Sequence, residues 1–359
     1  MILRAIRWRR WLVAVLVSAV VIAAYDLAAL SSTAAKMLHH GRAFDWWRGP
    51  VSRSTIQIGN IPADVYVGAR SRVQLLFVHG VNETGKDNAD VKPAAEAFAG
   101  SGFTVVVPDL IRLKRQNVTP ADIDDVVFVI RSRGVDTGIV CVSYGCGPAL
   151  IAATRPQVRH LVRFIVALGG YFDLQETVRS IITGPSSPLA YSKWIYMAGN
   201  ADLIANEQDR RRLIEIAAER RERPREQWTV DGKDVGPDAR ALIELFESVN
   251  AQEFDVRLRR IPLLEDRIER LSPSRYISGL RARLIVVHLR SDPSIPSTES
   301  LRMAEVARSY GIPVSLTILD MYGHTTPEWP RPGLRTLFGF YLPEGWKFVR
   351  VLREILSYS

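Results

Sequence analysis

Short apolar runs without polar alternation set the limits on what this chain can fold into. Gln74–His79 (QLLFVH), Phe103–Val107 (FTVVV), Arg163–Leu168 (RFIVAL) and Leu284–His288 (LIVVH) are the plainest. A strand with one wet face alternates apolar and polar residues, whereas a continuous run fits a strand buried on both faces of a parallel sheet. Gly138–Val142 and Val314–Leu319 read as further strands. Helical patterns fall between them, at Lys92–Ala99, Ala121–Arg133, Gly145–Thr154 and Ser297–Ser309. In the second of these, Ile123, Val126, Val127 and Ile130 share one face. Alternating strands and helices imply a doubly wound α/β fold, a mostly parallel sheet with helices on both faces. Ser54–Gly59 and Asp64–Gly68, joined by Asn60-Ile61-Pro62, precede it as a hairpin.

The alternation stops between Tyr171 and Leu280, which has helical patterns and no strong strand. One pattern places Leu242, Leu245, Phe246 and Val249 at helical spacing, and Asn206–Glu226 is a densely charged solvated face. The expected organisation is therefore a core of residues 54–170 and 281–359 interrupted by a helical cap, 171–280. The closing stretch Trp346–Leu356 is expected to be a last helix on the sheet, through Trp346, Val349, Leu352 and Leu356.

Ahead of the core, Trp11–Leu30 is apolar except for Asp26, and ten of its twenty residues are Leu, Ile or Val. Twenty helical residues rise about 30 Å, the thickness of a bilayer's hydrocarbon layer. Arg4, Arg7, Arg9 and Arg10 precede the run, which places the N-terminus in the cytoplasm and the bulk of the chain in the periplasm or outside. Residues 1–30 thus read as a transmembrane anchor and 31–53 as a linker carrying His39, His40, Trp46 and Trp47. A cleaved signal peptide, with Trp11–Ala24 as its apolar region and Thr33-Ala34-Ala35 near the cut, is the competing account. The chain carries 47 Lys and Arg against 38 Asp and Glu, a net +9. Without a clustered basic and aromatic stripe, that charge points to an anionic membrane surface, with no nucleic-acid partner expected. Only Cys141 and Cys146 are present, too few for a disulfide framework or a cysteine zinc site. They flank one turn and read as two buried thiols, with a disulfide between them the less favoured pairing.

That turn carries chemistry. In Cys141-Val142-Ser143-Tyr144-Gly145 a strand becomes a helix, which would hold a serine hydroxyl at the sheet's carboxyl edge and at a helix N-terminus. Gly145 and Gly147 give the strand and helix room to approach. Asp292 follows the LIVVH strand and His324 follows the VSLTIL strand. Singly each is ordinary: a helix cap, a turn acid, a loop histidine. In this order, each after a strand of one sheet, they read as nucleophile, orienting acid and general base. Two backbone donors for an oxyanion are expected from Tyr144, next to the serine, and Val81, in the loop opened by His79-Gly80, with the Asn82 side chain as an alternative.

In these motifs the sequence resembles the α/β-hydrolase superfamily. The resemblance covers about residues 54–342. It rests on His79-Gly80, Pro108-Asp109, the serine turn, Ser291-Asp292-Pro293-Ser294-Ile295-Pro296 and Gly323-His324, with Leu271-Ser272-Pro273 resembling the return from a cap. It implies an eight-stranded sheet and metal-free, cofactor-free hydrolysis of ester or related acyl bonds by a Ser-Asp-His triad. Two positions depart from the pattern. Cys141 stands where the turn usually begins with glycine, which would reshape it, and Leu289 stands where a glycine usually follows the acid strand's histidine, which would narrow the pocket.

The expected function is a membrane-anchored serine hydrolase of a small-molecule acyl substrate. A catalytically silent binding protein of the same fold and an acyltransferase are the alternatives. Substrate-contacting residues and oligomeric state are not legible. Two glycosylation patterns, Asn82-Glu83-Thr84 and Asn117-Val118-Thr119, complete the short motifs.

Overall fold

The computed structural model describes residues 50–184, 191–223, 234–320 and 334–359. Trp11–Leu30, His39, His40, Trp46, Trp47 and His324 lie outside them. Among the described residues no helix is long and apolar enough to cross a membrane.

The described strands are β1 (Ser52–Ile58), β2 (Ile61–Val67), β3 (Val73–Val78), β4 (Phe103–Pro108), β5 (Thr137–Val142), β6 (Val162–Leu168), β7 (Arg283–Leu289) and β8 (Val314–Leu319). They form one sheet in the order β1-β2-β4-β3-β5-β6-β7-β8. From β4 to β8 the pairs are parallel, and the β1–β2 hairpin joins β4 antiparallel.

The continuous apolar runs now have their reason. Leu76, Val78, Val106, Ile139, Cys141, Ile165 and Ala167 point into one core cluster. Their strand neighbours Leu75, Phe77, Val105, Val107, Val140, Phe164 and Val166 point into the other. With successive side chains on opposite faces and both faces covered, these strands are apolar on both sides, and the buried polar pair at their start, Gln74 and Thr137, is hydrogen-bonded one to the other (2.9 Å). Helices α1 (Val91–Gly100) and α11 (Leu342–Leu356) cover the second face with Val91, Phe98, Val351 and Ile355. Helices α2 (Ala121–Arg133) and α3 (Cys146–Thr154) cover the first with Ile123, Val126, Ile130, Leu150 and Ile151.

Between β6 and β7 the described chain is helical: α4 (Leu174–Thr183), α5 (Tyr191–Gly199), α6 (Glu207–Glu222), α7 (Pro237–Phe246), α8 (Ala251–Leu258) and α9 (Pro262–Arg270). Trp194, Met197, Leu213, Leu242 and Phe246 extend the first core cluster into this layer. Its two ends are tied together and to the sheet. Glu299, on α10 (Ser297–Ser309), accepts N–H bonds from Phe172 (2.9 Å) and Asp173 (2.6 Å). Ser272 Oγ accepts the Leu174 N–H (3.0 Å) and donates to Ile268 O (2.8 Å). Burial raises the Glu299 carboxyl above its ordinary pKa, and the two backbone donors oppose that rise.

Four local readings change. The hairpin turns at Gly59-Asn60, so Ile61 and Pro62 belong to β2, with Ile58 paired to Ile61. Gly59 takes a left-handed φ of +60°, which glycine adopts without strain. β1 opens at Ser52, inside the expected linker. Helix α7 ends at Phe246, leaving Val249 exposed instead of on its apolar face. The face that α11 buries is Glu344, Val351, Leu352 and Ile355, while Trp346 is 63% exposed. Glu344 fits there because its carboxylate accepts the Asp320 N–H (2.7 Å) and pairs with Lys347.

Candidate active site

The strand order reverses direction at β3: the chain next lays β4 on one side of it and β5 on the other. In open α/β sheets the crevice at such a reversal is where ligands bind. The register fixes what meets there. Val78 pairs with Cys141, so the chain leaving β3 as His79-Gly80-Val81 runs beside the chain leaving β5 as Val142-Ser143-Tyr144.

Ser143 has φ +51°, and Gln116 (φ +60°) is its sole non-glycine companion in that region among the described residues. A left-handed residue with a Cβ costs about 1–2 kcal/mol. The turn forces that conformation because β5 ends at Val142 and a short helical turn, Ser143–Gly145, leads directly into α3. The two small residues expected here are required by distance. A Cβ on Gly145 would lie 2.2 Å from His79 O, and one on Gly147 would lie 1.8 Å from the Tyr171 hydroxyl. Cys141 leaves the turn intact: its thiol is buried 3.5 Å from Val166 O and faces Cys146. Both cysteines are free thiols. Burial pushes the Cys146 thiol well above its ordinary pKa, and its contact with Cys141 pushes it further, so Cys146 is not primed for nucleophilic work.

The loop after β3 is held by His79. Its ring is fully buried, with Nδ1 2.8 Å from Gly80 O and Nε2 accepting the Leu110 N–H at 3.3 Å. Those partners require a neutral ring protonated on Nδ1, and burial lowers its pKa accordingly. Asn82, the alternative oxyanion donor, is bonded within its own loop. Its Nδ2 donates to Gly80 O (3.1 Å), and its Oδ1 accepts the N–H groups of Thr84 (3.1 Å) and Gly85 (2.6 Å). These bonds shape the side chain's own loop. At the second glycosylation pattern the Asn117 carboxamide oxygen is buried.

Asp292 lies three residues past β7. Its Oδ1 accepts the N–H groups of Ser294 (2.8 Å) and Ile295 (3.1 Å), and its side chain is 4% exposed. Those two bonds aim the acid loop. His288, named in the sequence only as the acid strand's histidine, braces the same loop: Nε2 donates to Ile295 O (2.9 Å) and Nδ1 lies 2.7 Å from Ser300 Oγ. Fully buried and held at both nitrogens, the ring has a structural place, with Nε2 3.7 Å from the Asp292 carboxylate.

Ser143, Tyr144, Val81 and Ser294 line one pocket of about 80 Å³, with Gln116 and Tyr196 on its far side. The Tyr144 ring lies tilted against those of Tyr171 and Tyr196, with centroids 5.6 Å and 6.3 Å away. Burial, reinforced by Tyr196 and by the nearby Asp292 charge, drives the Tyr144 hydroxyl far above its ordinary pKa, so it is no base. Leu289 does not narrow this pocket; it packs against the opposite core cluster. Three of the five expected site residues, Ser143, Val81 and Tyr144, therefore share one pocket, Asp292 stands two residues from its rim at Ser294, and His324 lies outside the described residues. Among the described residues no cluster of His, Cys, Asp or Glu could hold a metal ion.

A sheet in this order, with a left-handed serine between β5 and its helix, settles the architecture. The chain has the α/β-hydrolase fold. No protein-family model matches it, and no curated protein does. Solved structures similar to it include an acylaminoacyl peptidase of Pyrococcus horikoshii, 13% identical at a TM-score of 0.49, over 87% of this chain and 41% of that one. A serine hydrolase of Cycloclasticus zankles is 18% identical at 0.44, over 84% and 97%. A puromycin-hydrolysing peptidase of Mycobacterium tuberculosis is 13% identical at 0.48, over 86% and 38%. The chain thus spans less than half the length of the two peptidases.

Proposed function

We propose that this α/β-hydrolase-fold chain is a serine hydrolase acting on an ester or related acyl bond. The observation that carries the reading is the left-handed Ser143 at the β3–β5 crevice, in one pocket with Val81 and Tyr144. Strain of that kind persists where surroundings enforce it and function uses it. Ser143 Oγ attacks the acyl carbon while His324 takes its proton, and Asp292 orients and stabilises the imidazolium. The N–H groups of Val81 and Tyr144 receive the oxyanion. Collapse expels the alcohol with the proton from His324, and water, activated by the same ring, releases the acid. Cys141 and the long helical insertion are the features that favour a silent binding protein instead; against the first, the turn keeps its strained geometry with Cys141 in place.

A fluorophosphonate probe tests this directly on the full-length protein. Labelling that disappears in Ser143→Ala supports it; an unlabelled wild type overturns it. We further propose that Trp11–Leu30 anchors the chain, with the hydrolase outside the cytoplasm. Alkaline phosphatase fused after Ser359 should be active, and a cytoplasm-only fluorescent reporter fused there should be dark. The reverse pattern refutes the orientation, and full release by osmotic shock favours a cleaved signal peptide.

A further inference from the structure

Gln116 is the other strained residue, and it lines the same pocket as Ser143. The helical turn Ile111–Lys114 stops just before it. The Gln116 N–H bonds Leu113 O (3.1 Å) and the Asn117 N–H bonds Arg112 O (3.0 Å). That pair of bonds is the Schellman helix stop, whose left-handed position is normally glycine because a Cβ is penalised there. The stop is locked against α5: Gly199 meets Gln116 O so closely that a Cβ would sit 2.1 Å from it. The local fold therefore asks for glycine, yet the chain places a carboxamide there, beside the serine. Its Nε2 donates to Glu83 Oε1 at 3.3 Å, and among the described residues its Oε1 receives no hydrogen bond.

The rest of the wall matches a polar ligand. Ser192 and Ser294 contribute hydroxyl-bearing side chains, facing Val118 and Ile195. A water-sized group needs about 10–15 Å³, so the enclosed part of the pocket, about 80 Å³, takes a handful of heavy atoms. We infer that Gln116 is a specificity-determining residue, its Oε1 accepting a hydrogen bond from a hydroxyl or N–H group on a short acyl substrate. This rests on the hydrolase reading.

The test compares p-nitrophenyl butyrate with its 3-hydroxybutyrate and 3-aminobutyrate counterparts on full-length wild type, Gln116→Gly and Gln116→Asn. One neutral hydrogen bond predicts a wild-type preference of about five- to tenfold in kcat/KM for a donor-bearing ester, and which of the two is preferred identifies the donor. Gln116→Gly should bring that ratio close to one, while Gln116→Asn, which keeps a carboxamide and tolerates the backbone, should restore part of it. A purely structural glutamine gives another pattern: Gln116→Gly melts about 1 °C higher through relief of strain, with the ratio unchanged. That result, or a wild type without preference, overturns the inference. Dissociation constants of butyramide and its hydroxy and amino derivatives, read by ligand-observed NMR, give the same ratio without turnover. Absent fluorophosphonate labelling with that binding preference intact would sink the hydrolase reading alone.

Discussion

Replacing Ser143 by glycine and by alanine separates backbone strain from chemistry. Both variants remove the hydroxyl, so both should lose fluorophosphonate labelling. They differ in what remains at φ +51°. Alanine keeps a Cβ in the left-handed region, at about 1–2 kcal/mol. Glycine removes that cost but frees the unfolded chain, which offsets about 0.4–1 kcal/mol. The half-buried methyl group that glycine lacks is worth a few tenths more, at about 25 cal/mol per Å². The balance leaves Ser143→Gly more stable than Ser143→Ala by about 0.5–1 kcal/mol. For a chain of this size that is about 1 °C in calorimetric melting temperature. If Ser143→Gly melts below Ser143→Ala, the turn is not strained and the argument from strain to function collapses.

Ser143→Ala and His324→Ala should each cost at least about 10⁴-fold in turnover, and the double variant should be little worse than either, because the residues of a triad act as one unit; a His324→Ala enzyme near wild-type rate would refute the assignment. Gly145→Ala must push the His79 backbone, 2.2 Å from the new Cβ, so labelling should fall at least about tenfold, with about 1–3 kcal/mol of stability lost in urea titration. The Tyr171 hydroxyl is buried without a hydrogen-bond partner among the described residues. Tyr171→Phe should therefore gain about 1 kcal/mol, and a loss of that size would expose a missed partner. The depressed pKa of His79 makes stability pH-dependent with a definite sign. Above about pH 6.5 the ring is neutral folded and unfolded; below it the unfolded chain takes up a proton that the folded chain refuses, so stability falls with pH by up to about 1.4 kcal/mol per unit. Urea midpoints at pH 7.5 and 5.5 should show a smaller drop for His79→Asn than for wild type, and equal drops would contradict the buried neutral ring.

What the sequence determined by itself was the kind of sheet and the place of the serine turn. QLLFVH and FTVVV have no alternation because both faces of β3 and β4 are covered, and that demand is written residue by residue. Ser143 was legible because a small-residue turn between an apolar strand and a helix leaves few conformations. Local misreadings came where one contact decides. Ile61 and Pro62 read as turn residues, but glycine at position 59 can take the left-handed backbone that closes the hairpin two residues earlier. Trp346 reads as core on helical spacing, yet the sheet accepts the face bearing Val351 and Ile355. The tertiary structure alone decided the site's far wall. Nothing in the sequence near Gln116 marks it, since its left-handed backbone arises from a helix stop pressed against Gly199, eighty-three positions away. His288 likewise looks like any strand residue until Ile295 and Ser300 close around it. Patterns along a chain record what each segment must bury, whereas distances between segments depend on strand order, and it is the β4-β3-β5 order that sets Val81 beside Ser143.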